Sequence, residues 1–154
     1  MPNLFNNQVN DILVDIYSTI IRVEEEMLKS VNRDLGISEL HILETVGRKG
    51  NKGCSISEIA QSQKVTLPTV TVAIKKLEKK QYVKKIRSAE DARVVNVALT
   101  REGRRADAAH RHFHEQMVRS LLHDIKEEDR PMIFNALKNL DTFLRRTAQD
   151  VMAK

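Results

Sequence analysis

The chain has 154 residues, 41% hydrophobic and 4% aromatic with no Trp, which excludes a disordered tail and favours a helical core over a β-sandwich. Its single cysteine, Cys54, excludes an internal disulfide, and no apolar run approaches the ~20 residues that span a bilayer. The net charge of +5 is uneven: residues 64–105 hold 12 basic and 4 acidic side chains, whereas residues 1–35 carry a net of −3, so a phosphate-facing surface is confined to one block.

Residues 5–31 place Phe5, Val9, Ile12, Leu13, Ile16, Ile20, Val23 and Met27 at spacings of three and four, which predicts a long amphipathic helix ending near Gly36. Ser38 is expected to cap a shorter helix running to about Val46. Residues 47–53 hold three of the five glycines and read as a loop. Ser55-Ile56-Ser57-Glu58 is a capping box that opens a short helix ending near Gln63. The next helix starts at the N-cap Thr66, carries Pro68 in its first turn, and runs to about Lys80. One side of it collects Leu67, Val70, Ala73, Ile74 and Leu77; the other collects Pro68, Thr69, Val72, Lys75, Lys76 and Lys79. A buried stripe opposite small, hydroxyl-bearing and basic residues is how a recognition helix is built.

The period then changes. Residues 82–87 and 93–99 are rich in β-branched side chains, with Val95, Val97 and Leu99 in alternation. The polar tip 88–92 makes the pair a hairpin wing. Thr100 closes the second strand and caps a helix to about Leu122. A last helix is expected from about Glu127 to Met152, with Ile133, Leu137, Leu140, Leu144 and Val151 on one side and Pro131 pushing its start later. The fold class is mainly α with a small β-wing: a winged helix-turn-helix core flanked by N- and C-terminal helices.

In this order and spacing, Ser55-Ile56-Ser57-Glu58-Ile59-Ala60, Val65-Thr66-Leu67-Pro68-Thr69-Val70-Thr71, Leu77-Glu78-Lys79-Lys80, Asp91-Ala92-Arg93 and Val97-Ala98-Leu99-Thr100-Arg101-Glu102-Gly103 resemble the MarR family of bacterial transcriptional regulators over the whole chain. The resemblance implies a single domain over 1–154, with 36–100 as the DNA-binding core and 1–35 and 101–154 as dimerisation helices. It implies a repressor that binds a pseudo-palindromic double-stranded operator as a homodimer, with two recognition helices one DNA turn apart. In the major groove, the hydroxyls of Thr66, Thr69 and Thr71 can contact phosphates or base edges and Val72 can meet thymine methyls. Pro68 lies on the same side, and Lys75, Lys76 and Lys79 would hold phosphates. Arg93 matches the wing-tip arginine that relatives insert into the minor groove, and Asp91 the acid that orients nearby basic side chains. Gln81 departs from the pattern, because many relatives carry Gly between recognition helix and wing.

The effector is marked less clearly. Val65-Thr66-Leu67-Pro68-Thr69-Val70-Thr71, residues 87–95 and His112-Phe113-His114-Glu115-Gln116-Met117-Val118 are similar to the family's repressors of fatty-acid synthesis genes, whose corepressor is long-chain acyl-acyl carrier protein. That resemblance implies an acyl chain among the first, second and fifth helices, with the acidic carrier protein docked outside. A second reading starts from His110 and His114, four apart on one helix face, a spacing that can bring two imidazoles to one metal. His41 falls in the second helix and Glu24, Glu25 and Glu26 near the end of the first, the order used by zinc-sensing relatives. The alternative is that these groups are polar walls of a pocket, with His112 and His123 facing solvent. A regulator sensing a small aromatic or oxidant ligand is a further alternative, but no positive pair flanks Cys54 to activate its thiol. Lacking a phosphate-cradling glycine motif and a partnered nucleophile, the chain is not expected to be an enzyme or to require a cofactor. With Asp11 and Asp15 and no early basic cluster, its N-terminus does not resemble a secretion signal, so a cytoplasmic protein without a membrane partner is expected.

Overall fold

The computed structural model describes residues 3–31, 34–91 and 93–152, so Ala92 in the wing motif lies outside the described residues. The chain packs as two units, residues 1–112 and 113–154.

In the first unit, α1 (Leu4–Val31) buries only its C-terminal part, at Glu24 and Leu28. Ile20, Val23 and Met27 are half-buried, and the earlier apolar positions are exposed. The second helix, α2 (Ile37–Arg48), starts one residue before the expected cap. Gly36 is the cap, and its N–H donates to Glu39 Oε2 at 3.0 Å; Ser38 sits inside the first turn, because the Glu39 carboxylate already satisfies the free amide. The helix also runs past Gly47, which was expected in a loop. A side chain at Gly47 would collide with the Asp107 carboxylate, so the glycine serves close packing of α2 on α5. A single 3-10 turn follows at Gly50–Lys52.

The capping box forms as read: Ser55 N donates to Glu58 Oε2 at 2.8 Å and Glu58 N to Ser55 Oγ at 3.2 Å, opening α3 (Ile56–Gln63). Lys64 takes a left-handed φ of 55° to end it. Thr66 caps α4 (Leu67–Lys79), whose Val70, Ile74 and Leu77 have at most 1% exposure. Leu67, expected on that buried stripe, is exposed, because it begins the helix beyond the edge of the core.

A three-stranded antiparallel sheet completes the unit in the order β1 (Cys54–Ser55), β3 (Val95–Leu99), β2 (Val83–Arg87). The hairpin register pairs Val83 with Leu99 and Arg87 with Val95. Sequence patterning did not reveal β1: two residues ahead of a helix cap are too short to show alternation. It pairs Cys54 with Val97 and Ser55 with Asn96. Gly53 turns the chain into it with φ 67°, at a point where any side chain would meet the Val97 carbonyl. The central strand therefore buries Val97, Ala98 and Leu99 in succession, while Val95 is exposed towards the tip. Thr100 Oγ1 accepts from Gly103 N at 3.1 Å and caps α5 (Arg101–Leu122) as expected. The core is one cluster contributed by α2, α3, α4, the sheet, Leu28 of α1 and Ala106 of α5.

In the second unit a 3-10 turn at Glu127–Asp129 precedes α6 (Arg130–Met152). The helix starts three residues later than the first expectation, with Pro131 in its first turn where the missing N–H costs little. No described helix is long and apolar enough to cross a membrane.

Candidate functional site

The exposed side of α4 carries Pro68, Thr69, Val72, Lys75, Lys76 and Lys79. Among the described residues these three lysines have no ion pair, whereas Lys80 is bound to Glu39 at 2.8 Å and Lys85 to Glu78 at 3.1 Å. The positive block is thus neutralised at its margins and left open on the helix face. The hydroxyls at the start of α4 are locally engaged: Thr66 Oγ1 and Thr69 Oγ1 lie 2.8 Å apart, and Thr71 Oγ1 donates to Leu67 O at 2.9 Å. At the wing tip, Asp91 Oδ1 accepts from Arg93 N at 2.9 Å, and Val94 N donates to Asp91 O at 2.9 Å. Asp91 acts on the backbone that presents Arg93, and among the described residues Arg93 is exposed with no ion pair.

The corner between α4 and β2 keeps the geometry that glycine would give. Gln81 adopts φ 64°, with Gln81 N donating to Glu78 O at 3.0 Å and Tyr82 N to Leu77 O at 2.9 Å. This is the bond pattern of a Schellman ending with a non-glycine residue in the left-handed position. The corner is overdetermined by its surroundings. Thr100 Oγ1 donates to Gln81 O at 2.6 Å, and Lys80 Nζ reaches both oxygens of Glu39 and the Asp34 carbonyl. The Tyr82 hydroxyl donates to Asp34 Oδ1 at 2.9 Å. Burial first, and then that carboxylate, push the Tyr82 phenol up to about 12.

A second constellation lies among α1, α2 and α5. Glu24 and His110 are 4% and 3% exposed, and His110 Nε2 lies 3.0 Å from Glu24 Oε1. His41 Nε2 is 4.0 Å from the other Glu24 oxygen, and the His41 and His110 rings are 5.6 Å apart. One ligand atom from each of Glu24, His41 and His110 falls within 4.8 Å of the others. Three of the four residues marked in the sequence are thus brought together. His114 follows one turn later on α5, with its ring 5.3 Å from Phe113. Glu25 and Glu26 point outward, which fixes the glutamate register at Glu24. Sequence reading missed Glu44, whose Oε2 lies 3.6 Å from His110 Nδ1; its only signal was a position one turn after His41 on the same helix. Nearby, burial pushes the Asp107 carboxyl up against the opposing effect of Arg111, whose guanidinium is 3.0 Å away. Beside Glu24 and His110, Met27, Leu28, Leu40, Ala106 and Ala109 line a narrow apolar crevice.

Cys54 is fully buried, and burial lifts its thiol to about 11, so it packs as a small apolar residue and is a poor nucleophile. Glu58 is held below the usual carboxylate range, first by the Ser55 backbone N–H and then by Lys49. His112 and His123 are exposed.

A family model described as the MarR family matches residues 35–95. The chain is 26% identical over 95 residues to the HTH-type transcriptional repressor MdtR of Bacillus subtilis, a match covering 62% of this chain and 61% of that relative's length. Its fold is similar to Streptococcus pneumoniae FabT in complex with DNA, with a TM-score of 0.78 and 31% identity over 92% of this chain and 99% of that one. It is also similar in fold to the S. aureus MepR–DNA complex, with a TM-score of 0.68 and 21% identity over 86% and 94% of the two chains.

Proposed function

The chain belongs to the MarR family of DNA-binding transcription regulators, and from that premise we propose that it is a homodimeric repressor governed by an effector held among α1, α2 and α5. The observation that carries the effector reading is the apolar crevice of Met27, Leu28, Leu40, Ala106 and Ala109, closed at one side by the buried Glu24–His110 pair. Apolar walls beside one buried polar pair suit a long acyl chain in character better than a hydrophilic metabolite, and the crevice, about 20 Å³ as it stands, must open to take one. The motif resemblance to the family's repressors of fatty-acid synthesis genes, through residues 65–71, 87–95 and 112–118, supports the same ligand class. The effector in this reading is a long-chain acyl-acyl carrier protein that strengthens operator binding.

Dimerisation is supported by apolar surface that one chain leaves in water. On α1, Leu4, Phe5, Ile12 and Ile16 are exposed; on α6, Phe134, Phe143 and Leu144 are. Burying such side chains is worth roughly 1.5–3 kcal/mol each, so both helices are built to be covered. A two-fold dimer presents the α4 face and Arg93 twice, to successive major and minor grooves of a pseudo-palindromic operator.

The convergence of Glu24, His41 and His110 favours a second reading, zinc as the effector. Two imidazoles and a carboxylate match the donor chemistry of zinc, and the Glu44 carboxylate beside His110 Nδ1 would orient that ring towards a metal. Binding would exchange the 3.0 Å Glu24–His110 contact for bonds to the ion. One titration separates the readings: operator affinity of the purified protein measured with long-chain acyl-carrier protein, with unacylated carrier, and with zinc. We expect tightening with the acylated carrier alone. Unchanged affinity there, with a zinc-dependent gain lost in His110→Ala, sinks the acyl reading in favour of the metal.

A further inference from the structure

Recognition helices read bases by hydrogen bonds to their edges or by apolar contact with the pyrimidine C5-methyl group, and the groups at the start of α4 are unequally available for the two. Of the three threonine hydroxyl hydrogens there, one lies between Thr66 and Thr69 at 2.8 Å and another is donated by Thr71 to the Leu67 carbonyl at 2.9 Å. Thr66 Oγ1 also accepts the Thr69 backbone N–H at 3.4 Å. Two of the three hydrogens are therefore spent inside the helix. Val72, by contrast, is 54% exposed on a helix whose Val70, Ile74 and Leu77 are at most 1% exposed. It stands one turn after Pro68, which is exposed and has no N–H, and one turn before Lys75 and Lys76. A β-branched side chain is stiff at χ1, so its two methyls are held in place before binding.

We infer that α4 selects operator positions by the C5-methyl group of the pyrimidine facing Val72, and that Thr71, whose hydroxyl hydrogen goes to the Leu67 carbonyl, shapes the helix without donating to a base. The occupant of this apolar spot is duplex DNA. The lysines around it, without ion pairs among the described residues, are complementary to phosphates, and the likeness to FabT in complex with DNA spans 92% of the chain. The inference rests on the DNA-binding reading and goes beyond it by naming the chemical group that is read.

A methyl contact has a signature that edge hydrogen bonding lacks: it follows the methyl and not the base pair. The test begins with duplexes selected by the protein from a randomised pool. At each pyrimidine of the selected half-site, four versions are compared, carrying thymine, uracil, 5-methylcytosine or cytosine opposite the matching purine. At one position the two methylated versions are expected to bind alike, and about fourfold tighter than the two without a methyl, from ~0.8 kcal/mol per buried methyl group. Changing both half-sites together is expected to give roughly fourteenfold by the same arithmetic. Val72→Ala should bind with that difference removed, and since Val72 is exposed the variant folds. Thr71→Val should keep the methyl dependence of binding. Thymine and uracil binding alike at every position overturns the inference. So does a split by base pair, with thymine and uracil tight and both cytosines weak, or methyl dependence that survives in Val72→Ala. Selection of no duplex at all sinks the DNA-binding reading, and this inference with it; selection followed by indifference to the methyl sinks this inference alone.

Discussion

The exposed face of α4 with the wing tip and the buried Glu24–His110 site use charge in opposite ways. In the first, Lys75, Lys76, Lys79 and Arg93 are exposed and have no ion pair among the described residues, which costs little in water and, in the proposed reading, leaves them for phosphates and the minor groove. In the second, Glu24 and His110 are almost wholly buried and lie against each other at 3.0 Å. Glu24 also has His41 at 4.0 Å, and His110 has Glu44 at 3.6 Å, so the buried groups support one another. Removing a charge from the first region should therefore change binding and leave stability alone, whereas removing one from the second should change stability first.

The largest effect belongs to the buried site. His110→Ala takes from the buried Glu24 carboxylate the nearer of its two imidazoles, and a loss of about 3 kcal/mol is expected, read by denaturant unfolding. Replacing Glu24 and His110 together by apolar residues of similar size should recover most of it. A His110→Ala protein as stable as the parent would erase the contrast between the regions. Next comes the combined Arg93→Ala and Lys76→Ala change. It should weaken binding to an A·T-rich palindrome by about 1–3 kcal/mol for the wing arginine, and lower the salt dependence by about one unit for the lysine. The melting temperature should hold. Equal affinity and equal salt dependence in parent and variant would remove the reading surface from residues 64–105. The smallest effect is at the corner joining helix and wing. Gln81→Gly relieves a left-handed residue at φ 64° and should raise stability by up to ~1 kcal/mol, with operator affinity unchanged. A loss of stability would mean that the Gln81 side chain holds the corner by contacts its backbone does not reveal.

The same contrast explains how much could be read from sequence. The reading end is written in local signals: a capping box at Ser55 and Glu58, a cap at Thr66 with Pro68 beside it, and β-branched strands after it. Each is satisfied within a few residues, and each stands where patterning put it. The failures have a common cause in distant partners. Gly47 lies in a helix because it packs on Asp107, and β1 exists because Val97 and Asn96 are there to pair with it. At the buried site the residue types were legible, but the register of Glu24 among three successive glutamates and the presence of Glu44 were not. Both depend on how α1, α2 and α5 pack.

The hydroxyl of Tyr82 meets Asp34, and Tyr82's carbonyl lies so near Gly103 that no side chain fits between them. One residue at the foot of the wing is thus joined to the segment before α2 and to the first turn of α5, both outside residues 36–100. The DNA-reading part is consequently not a transplantable module. A chimaera that grafts foreign sensing helices onto it must carry the native chain from Asp34 through at least Gly103, or accept a wing whose foot has lost its anchors.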